Sequence, residues 1–595
     1  MMSEEKAKDF KGAIRKMITY IGKYKVAVGI AMICAAIATV LTVAGPKVMG
    51  KATTALAQGL SEKIAGTGGM DFVYIAKILL ITLALYIVSA VFTFIQGWLM
   101  TGVTQKICYR MRKEISEKIN RMPMKYFESR TYGEVLSRIT NDVDTLGIAL
   151  NQSITMIITS VTTILGVTVM MLSISPLMTL IAFVILPVSM LLMSFLVKKS
   201  QKFFETQQEY LGHINGQVEE TYSGHAIIKV FNKEEETLQR FNADNRVLYD
   251  SAWKSQFFSG LMYPIMVFVE NLGYVGVAIS GGMLAVRGVI TIGDIQAFIQ
   301  YVKQFTQPIQ EVAQVTTEVQ SMAAAAERVF EFLEEEEEDQ TVENAVDIEE
   351  IKGNVEFEHV GFGYNSDRII IKDFSANVKQ GQKIAIVGPT GAGKTTMVKL
   401  LMRFYDVNSG AIKVDGYNIR NFNRRKLRNA FGMVLQDTWL FKGTIMENIR
   451  YGRLDATDEE VIAAAKAAHA HHFIETLPGG YDMELNEDAS NVSQGQKQLL
   501  TIARAILADN PILILDEATS SVDTRTEVRI QKAMDNLTKG RTSFIIAHRL
   551  STIRNADLIL VMRDGDIIEQ GNHDELLANK GFYAELYNSQ FEQAS

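Results

Sequence analysis

Residues 383–395 read KIAIVGPTGAGKT, an apolar run that leads into a glycine-rich loop and a lysine. The run Lys383–Val387 predicts a buried strand, and the residues from Thr396 to Phe404 predict a helix. Between them stands the pattern G-x-x-x-x-G-K-[ST], in the strand–loop–helix context that it requires. Glycines let backbone N–H groups approach phosphate oxygens, and a helix N-terminus favours an anion. The stretch therefore predicts an α/β domain that binds a nucleoside triphosphate.

The side chains of this loop suit phosphate and Mg²⁺. Lys394 is expected to reach the β and γ phosphates, and Thr395 to ligate Mg²⁺. The residues that we expect to bind the nucleotide here are Gly388, Pro389, Thr390, Gly391, Ala392, Gly393, Lys394, Thr395 and Thr396.

Two later apolar runs bring further polar groups. Ile512–Leu515 predicts a buried strand that ends in Asp516 and Glu517. We expect Asp516 to hold Mg²⁺ and Glu517 to orient or deprotonate the attacking water. A third strand, Ser543–Ala547, delivers His548, which we interpret as a sensor of the γ-phosphate. Taken singly, the carboxylate pair could cap the next helix and the histidine could be structural, but beside a phosphate loop the catalytic interpretation is stronger.

Asn491–Gln496 reads NVSQGQ and is followed by a basic helical stretch, Lys497–Leu507. This resembles the signature motif of ATP-binding cassette (ABC) proteins. The resemblance implies that the signature residues act on ATP held by a partner chain. Those residues are Ser493, Gln494, Gly495 and Gln496.

The resemblance also assigns roles outside the signature. Tyr364 is similar to the aromatic residue that stacks on adenine. Gln436 is similar to the glutamine that links the nucleotide to the membrane domain, and it is counted with the catalytic and Mg²⁺-binding residues. The loop Ser520–Asp523 resembles the one that crosses the seam of the dimer, where Asp523 is the residue of interest.

The composition divides the chain into a membrane half and a soluble half. At 595 residues it exceeds the size of one domain. Its formal charge of −7 has the wrong sign for a protein that coats nucleic acid, so we expect no nucleic-acid partner. Only two cysteines are present, too few for a disulfide framework or a cysteine metal site. The uncharged runs crowd the first half.

A membrane span needs about 20 apolar residues in a helix. Runs of that length predict six spans, the sixth being the weakest. They cover residues 26–45, 78–105, 145–173, 175–197, 256–286 and 290–308.

The segments 106–144 and 198–254 are rich in Lys and Arg, which places both on the cytoplasmic side. Each is helix-forming and contains a break, so each predicts two long helices joined by a short transverse helix, a docking surface for a soluble domain. The residues that mark the breaks are Pro123 and Gly133 in the first segment, and Gly212, Gly216 and Gly224 in the second.

These observations give the domain organisation. Residues 1–25 predict a helix in the membrane interface, with an ordinary exposed helix as the alternative. Residues 26–333 form the six-span α-helical transmembrane domain with long cytoplasmic extensions. Residues 334–352 begin with an acidic run and predict a solvated linker. Residues 353–595 form the α/β P-loop ATP-binding cassette domain.

With six spans before the cassette, the whole chain resembles a half-size ABC exporter. The resemblance implies that two chains sandwich two ATP molecules with Mg²⁺ in the cytoplasm, and that ATP binding drives alternating access in the cell membrane. The expected cargo is a small amphipathic compound, a drug or a lipid. A homodimeric lipid flippase, or an ATP-gated channel or sensor without uphill transport, remains an alternative.

The signature departs from the family pattern Leu-Ser-Gly-Gly-Gln at Val492 and Gln494. A side chain at 494 would crowd the contact with ATP on the partner, whereas Lys394 and Glu517 are intact. The sequence therefore resembles the subunit of a heterodimeric exporter that supplies the catalytic carboxylate; a homodimer that tolerates Gln494 is the alternative. No role is assigned to Asp488.

Glu270 interrupts the fifth span, and a carboxylate there must avoid lipid. It predicts a contact for a cationic substrate. The alternatives are a buried carboxylate held by polar neighbours, or a shifted helix boundary.

Overall fold

The structure is a computed structural model that describes residues 7–340, 342–365, 368–435, 438–487, 489–516, 523–546 and 553–591. The chain divides into two compact units. The first contains residues up to 120 together with 132–335, and the second contains 121–131 together with 336–595.

The first unit is entirely helical in the part that the structure describes. An amphipathic helix, α1, buries Ala13 and Met17 and precedes the long helices. The fourth element of the chain, α4, belongs to the second unit, and a π-helical turn at Arg138–Asp142 leads into α6. The helices are α1 Phe10–Ile21, α2 Lys25–Ile64, α3 Phe72–Ile119, α4 Met124–Glu128, α5 Tyr132–Ser137, α6 Val143–Ile174, α7 Pro176–Ser223, α8 His225–Val230, α9 Glu234–Val286 and α10 Ile292–Glu334.

Each predicted span lies within one long helix, apart from the first residues of the fourth and sixth. Among the described residues, four helical stretches are long and apolar enough to cross a membrane. They are Phe10–Ile64, Phe72–Ile119, Tyr132–Ile174 and Glu234–Val286. The turn between the third and fourth spans lies at Ser175, whose side chain accepts a hydrogen bond from the Met178 N–H at the start of α7.

The first predicted break contains a short helix, α4, directly after Pro123. The second contains α8, and it begins at Gly224 as predicted. The breaks predicted at Gly212 and Gly216 are wrong, because α7 continues through both residues to Ser223. A single glycine costs a helix only about 1 kcal/mol, which the surrounding turns absorb.

Helices α2 and α10 approach each other closely at two glycines. A β-carbon on Gly50 would lie 2.6 Å from the carbonyl oxygen of Gly293, so neither position has room for a side chain. Nearby, the Tyr301 hydroxyl donates to the Val43 carbonyl at 2.9 Å. The α10 segment that carries the predicted sixth span therefore packs tightly on the first.

The second unit contains a six-stranded sheet in the order β12-β11-β3-β10-β9-β6 and a four-stranded sheet in the order β2-β1-β4-β5. The strands from β11 to β6 in the larger sheet are parallel, as the α/β prediction requires. The strands are β1 Val355–Phe362, β2 Ile371–Val378, β3 Lys383–Val387, β4 Ser409–Val414, β5 Tyr417–Asn418, β6 Phe431–Val434, β7 Gly443–Thr444, β8 Glu484–Leu485, β9 Ile512–Asp516, β10 Thr542–Ile546, β11 Leu558–Arg563 and β12 Asp566–Gly571.

Helices surround these sheets and bury apolar clusters, of which two are the largest. One cluster lies between the sheets and the helix after the phosphate loop, and the other lies among helices α13 to α17. The helices are α11 Lys394–Leu401, α12 Arg424–Arg428, α13 Ile445–Arg450, α14 Asp458–Ala467, α15 His471–Thr476, α16 Gln494–Ala508, α17 Thr524–Thr538, α18 His573–Ala578 and α19 Phe582–Phe591.

The acidic run differs from the prediction of a solvated linker. The Glu338 side chain is only 8% exposed and pairs with Arg428 at 2.5 Å and with Arg424 at 3.5 Å. Beyond it, Val346 and Ile348 pack against the apolar core of the ATP-binding unit. Like charges repel, but arginines that are distant in sequence neutralise one of them. This unit therefore begins before residue 353.

Candidate functional site

The predicted catalytic groups follow three neighbouring parallel strands. Ile546 of β10 pairs with Ile386 of β3 on one side and with Asp516 of β9 on the other. Since all three strands run in the same direction, the phosphate loop after β3 and the Asp516 carboxylate lie at one sheet edge, where β10 also ends. Ligands of open α/β sheets bind at this edge.

The phosphate loop adopts backbone angles that need glycine. Gly388 and Gly393 have φ of +153° and +102°. A β-carbon on Gly393 would lie 2.6 Å from Cδ1 of Ile371, and one on Gly388 would overlap the Met562 carbonyl oxygen. The loop is thus pressed against β2 and β11, with its backbone free to face an anion.

Lys394 begins α11 and turns back over the loop. Its Nζ donates to the carbonyl oxygens of Gly388 at 2.7 Å and Pro389 at 3.0 Å. Burial lowers the pKa of Lys394, and the negative charge of Asp516 opposes that shift. The lysine and the aspartate, which are far apart in sequence, therefore act on each other electrostatically at the sheet edge.

The donor set fits Mg²⁺. Thr395 supplies a hydroxyl in the first turn of α11, and Asp516 supplies a carboxylate at the end of β9. Mg²⁺ prefers oxygen ligands and keeps several waters and substrate phosphates in its shell, so two protein ligands are enough. Gln436, the third predicted ligand, lies outside the described residues.

Tyr364 lies beside the first turn of the helix that follows the phosphate loop. Its hydroxyl is 3.2 Å from Oγ1 of Thr396. Its ring meets Phe362 and Tyr405 edge to face, with centroids 5.1 Å and 5.0 Å apart. We refer to Phe362, Tyr364 and Tyr405 as the aromatic cluster.

The signature segment caps a helix. Ser493 and Gln496 form a capping box at the start of α16, because the Ser493 hydroxyl accepts from the Gln496 N–H and the Gln496 side chain accepts from the Ser493 N–H. Val492 is buried. The Gln494 side chain donates to the Thr438 hydroxyl at 3.3 Å. The residue that departs most from the family pattern therefore bonds the segment just after Gln436.

A second set of hydrogen bonds to the segment after Gln436 was not predicted from the sequence. Arg504, on α16, donates to the carbonyl oxygens of Trp439 at 3.1 Å and Asn448 at 2.8 Å. Asn448 is 2% exposed and bonds the backbone of Phe441 through both ends of its amide. The only signal was an arginine within an apolar stretch, Leu499–Leu507. This network holds the segment to the signature helix.

Asp523 caps α17 by accepting from the backbone N–H groups of Arg525 and Thr526. A hydrogen bond with the side chain of Thr526, followed by that with its backbone N–H, lowers the pKa of Asp523. The predicted site residues Glu517 and His548 lie outside the described residues, as does Asp488, which has no assigned role. Glu270 lies within α9, but its side chain is not among those that the structure describes.

Comparisons with known proteins agree with this geometry. Residues 28–309 match the family described as the ABC transporter transmembrane region, and residues 371–520 match the ABC transporter family. The fatty acid ABC transporter ATP-binding/permease protein of Mycobacterium tuberculosis is 47% identical over 518 residues, which are 87% of this chain and 82% of that protein.

Two further relatives cover almost the whole chain. The ABC transporter ATP-binding protein YfiC of Bacillus subtilis is 44% identical over 99% of this chain and 96% of its own length. The ATP-dependent lipid A-core flippase of Desulfotalea psychrophila is 34% identical over 98% of this chain and 100% of its own length. The chain therefore belongs to the ABC transporter family, as a half-size exporter that hydrolyses ATP and spans the membrane several times, with its ATPase domain in the cytoplasm.

Proposed function

We propose that this chain is one half of a dimeric exporter of amphipathic compounds, and that it supplies a complete set of ATP-hydrolysing groups. The observation that carries the proposal is the single sheet edge shared by the phosphate loop, Lys394 and Asp516. The loop backbone and Lys394 bind the phosphates, and Thr395 and Asp516 hold Mg²⁺. When bound, Mg²⁺ neutralises charge that develops on the phosphate oxygens.

In this proposal Glu517, directly after Asp516, orients and deprotonates the attacking water, while His548 contacts the γ-phosphate. Tyr364 stacks on adenine beside the loop. Gln436 connects this site to the membrane domain, and the hydrogen bonds of Arg504 and Gln494 support that role because they hold the residues just after it. The six predicted spans make up the translocation pathway, and the helix at residues 1–25 lies at the membrane surface.

The second half is proposed to be a different but similar chain. The Ser493, Gln494, Gly495 and Gln496 signature would act on ATP bound to that partner, across a seam that includes Asp523. Glycine at position 494 would leave the backbone open, whereas the Gln494 side chain reaches Thr438. A weakened signature beside intact hydrolytic groups favours one active and one slow ATP site. A homodimer is the alternative.

The proposed class of transported compound is inferred from the names of the relatives and from carboxylates in helices α9 and α10. The names of two relatives refer to fatty acid and to lipid A-core, and both of these are amphipathic lipids. Glu270 in α9 is the predicted contact for a cationic substrate. In α10, Glu311 accepts a hydrogen bond from Ser160 at 2.7 Å, and Glu318 accepts one from Ser153 at 3.1 Å. We propose the same role, contact with a cationic substrate, for these two carboxylates of α10.

The central test is the Glu517→Gln variant of the complex purified from its source membrane. We expect ATP binding to persist while hydrolysis falls by about a hundredfold or more, as on loss of a catalytic base. Hydrolysis near the original rate would remove Glu517 from this role. The matched control is Glu585→Gln, an exposed carboxylate of α19 that is outside the site.

Two further measurements separate the alternatives. Native mass spectrometry of the extracted complex distinguishes one copy of this chain with a similar partner from two copies of it. Uphill accumulation of a fluorescent amphipathic cation in sealed vesicles distinguishes a pump from a channel, since a channel only dissipates a gradient. Unchanged accumulation of cations in Glu270→Gln would exclude that residue as a substrate contact.

A further inference from the structure

Glu128, the last residue of α4, connects that helix to α11 and to the aromatic cluster. One carboxylate oxygen lies 2.7 Å from Nζ of Lys399, and the other accepts a hydrogen bond of 2.6 Å from the Tyr405 hydroxyl. The side chains of Glu128 and Lys399 are 29% and 26% exposed. Both carboxylate oxygens are therefore used, and water screens the pair less than it screens a fully exposed one.

The electrostatics of the two partners agree with these contacts. Partial burial is the largest single influence on the pKa of Lys399 and lowers it, but the hydrogen bond to Glu128, the charge of Glu128 and the interaction with Tyr364 together outweigh burial and raise the pKa of the lysine. Burial, and then the hydrogen bond to Glu128, raises the pKa of Tyr405. At neutral pH the lysine is thus charged and the tyrosine is a hydrogen-bond donor, as this arrangement requires.

Both partners of Glu128 also contact the ring of Tyr364. Lys399 Nζ lies 5.6 Å from the ring centroid, within the range of a cation–π interaction. The Tyr405 ring meets it edge to face, with an interplanar angle of 87°. The Tyr364 hydroxyl is tied to Thr396 in the first turn of α11. The orientation of the Tyr364 ring therefore depends on two groups that a single carboxylate holds.

We propose that Glu128 is a positioning residue for the adenine base: by holding Lys399 and Tyr405 it sets the Tyr364 ring for stacking, and it makes the ATP affinity of the domain depend on the docking of α4. This inference rests on the proposed role of Tyr364. It gives α4 a direct connection to the base of the nucleotide, in addition to any connection through the phosphates.

The test compares nucleotide affinities of the purified complex containing the full chain in lipid nanodiscs. Glu128→Gln keeps the shape of the side chain and removes its charge. We expect it to raise KM for ATP about fivefold, the effect of losing one hydrogen bond, and to leave kcat within about twofold. Inorganic tripolyphosphate, which lacks a base, should inhibit the variant and the original protein with the same Ki.

Two variants keep the test independent of folding defects. Tyr405→Phe removes only one hydroxyl and should raise KM in the same direction, by about twofold. Glu117→Gln is the matched control, since Glu117 forms an exposed pair with Lys113 at 3.8 Å, and it should leave KM unchanged.

Tyr364→Ala separates this inference from the proposed function. It should raise KM for ATP about tenfold, the usual effect of removing an aromatic residue that stacks on a base, and Glu128→Gln should then add nothing. If Tyr364→Ala leaves KM unchanged, the adenine role itself is wrong. If Tyr364→Ala has its effect but Glu128→Gln and Tyr405→Phe have none, only the inference is overturned. A parallel rise in the Ki of tripolyphosphate would also overturn it, because the effect would then act on the phosphate loop.

Discussion

The two short helices α4 and α8 have opposite surroundings. In α4, Tyr126 is 5% exposed and Glu128 is paired with residues of the ATPase domain. In α8 no residue is buried, and Ile227, Val230 and the following Phe231 are 65%, 75% and 69% exposed. A contiguous apolar surface of this kind marks an interaction site. The ATPase domain of the same chain therefore covers α4, whereas the apolar residues of α8 stay exposed in this chain, and we predict that another chain covers them.

The largest effect is expected when charged residues replace the exposed apolar residues of α8 and the apolar residue that follows it. We predict that Ile227→Asp with Phe231→Asp lowers the ATPase activity of the complex by more than about tenfold, because two apolar contacts are lost and two carboxylates would have to be buried. The measurement is steady-state ATP hydrolysis, with native mass spectrometry to follow the fraction of dimer.

The control for this variant is Ile568→Asp, an exposed apolar residue on the last strand of the ATPase domain, 43% exposed. It should reduce activity little. Full activity of the α8 double variant would contradict the view that this helix is covered by another chain in the working complex.

A smaller effect is expected at the end of the first Lys- and Arg-rich segment, residues 106–144, where the chain enters α6. Asp142, the last residue of the π-helical turn, is 5% exposed and accepts hydrogen bonds from two N–H groups of Arg328, at 2.5 Å and 3.0 Å. We predict that Asp142→Asn destabilises the first unit by about 2–3 kcal/mol, because it leaves a half-buried arginine charge without its counter-ion. The measurement is the thermal unfolding midpoint in detergent.

The matched variant is Arg328→Met combined with Asp142→Leu, which removes both charges. Replacing a buried ion pair by apolar residues is often nearly neutral for stability. The double variant should therefore recover most of the decrease in the thermal unfolding midpoint. An equal loss in both variants would mean that the two residues act through packing and not through their charges.

The smallest effect is expected in the second Lys- and Arg-rich segment, residues 198–254. Gly212 lies within α7, and a β-carbon there would meet nothing within 4 Å. Gly212→Ala should therefore stabilise the helix by about 0.5–1 kcal/mol. Gly224→Ala is the contrast, because its β-carbon would lie 3.0 Å from the Glu220 carbonyl oxygen. Hydrogen exchange of α7 should slow in the first variant only; slowing in both would contradict a break at Gly224.

Local signals were sufficient for much of the ATPase domain. The strand Lys383–Val387 was predicted at its observed bounds, because an apolar run followed by a glycine loop is specified by neighbouring residues. The phosphate loop and Asp516 followed from motif spacing. Where only a weak local signal existed, as at Gly212 and Gly216, the prediction failed because tertiary packing carries a long helix through isolated glycines.

The contacts that tie the site together were not predictable in this way. Tyr405 lies 277 residues from Glu128, and Arg428 lies 90 residues from Glu338. Nothing near either carboxylate in the sequence identifies its partner. Arg504 was missed for the same reason, since its acceptors belong to other segments that only the folded domain brings within reach.

The pairing of Glu338 with α12 bears on how the soluble half can be separated from the membrane half. A polypeptide cut at residue 353 would lose Glu338 and the Val346 and Ile348 side chains that pack on its core. It would leave Arg428, whose side chain is 24% exposed, without that carboxylate and would uncover apolar surface, so it should aggregate more readily than one beginning at residue 336. The segment that the sequence predicts to be a linker is thus part of the fold of the ATPase domain.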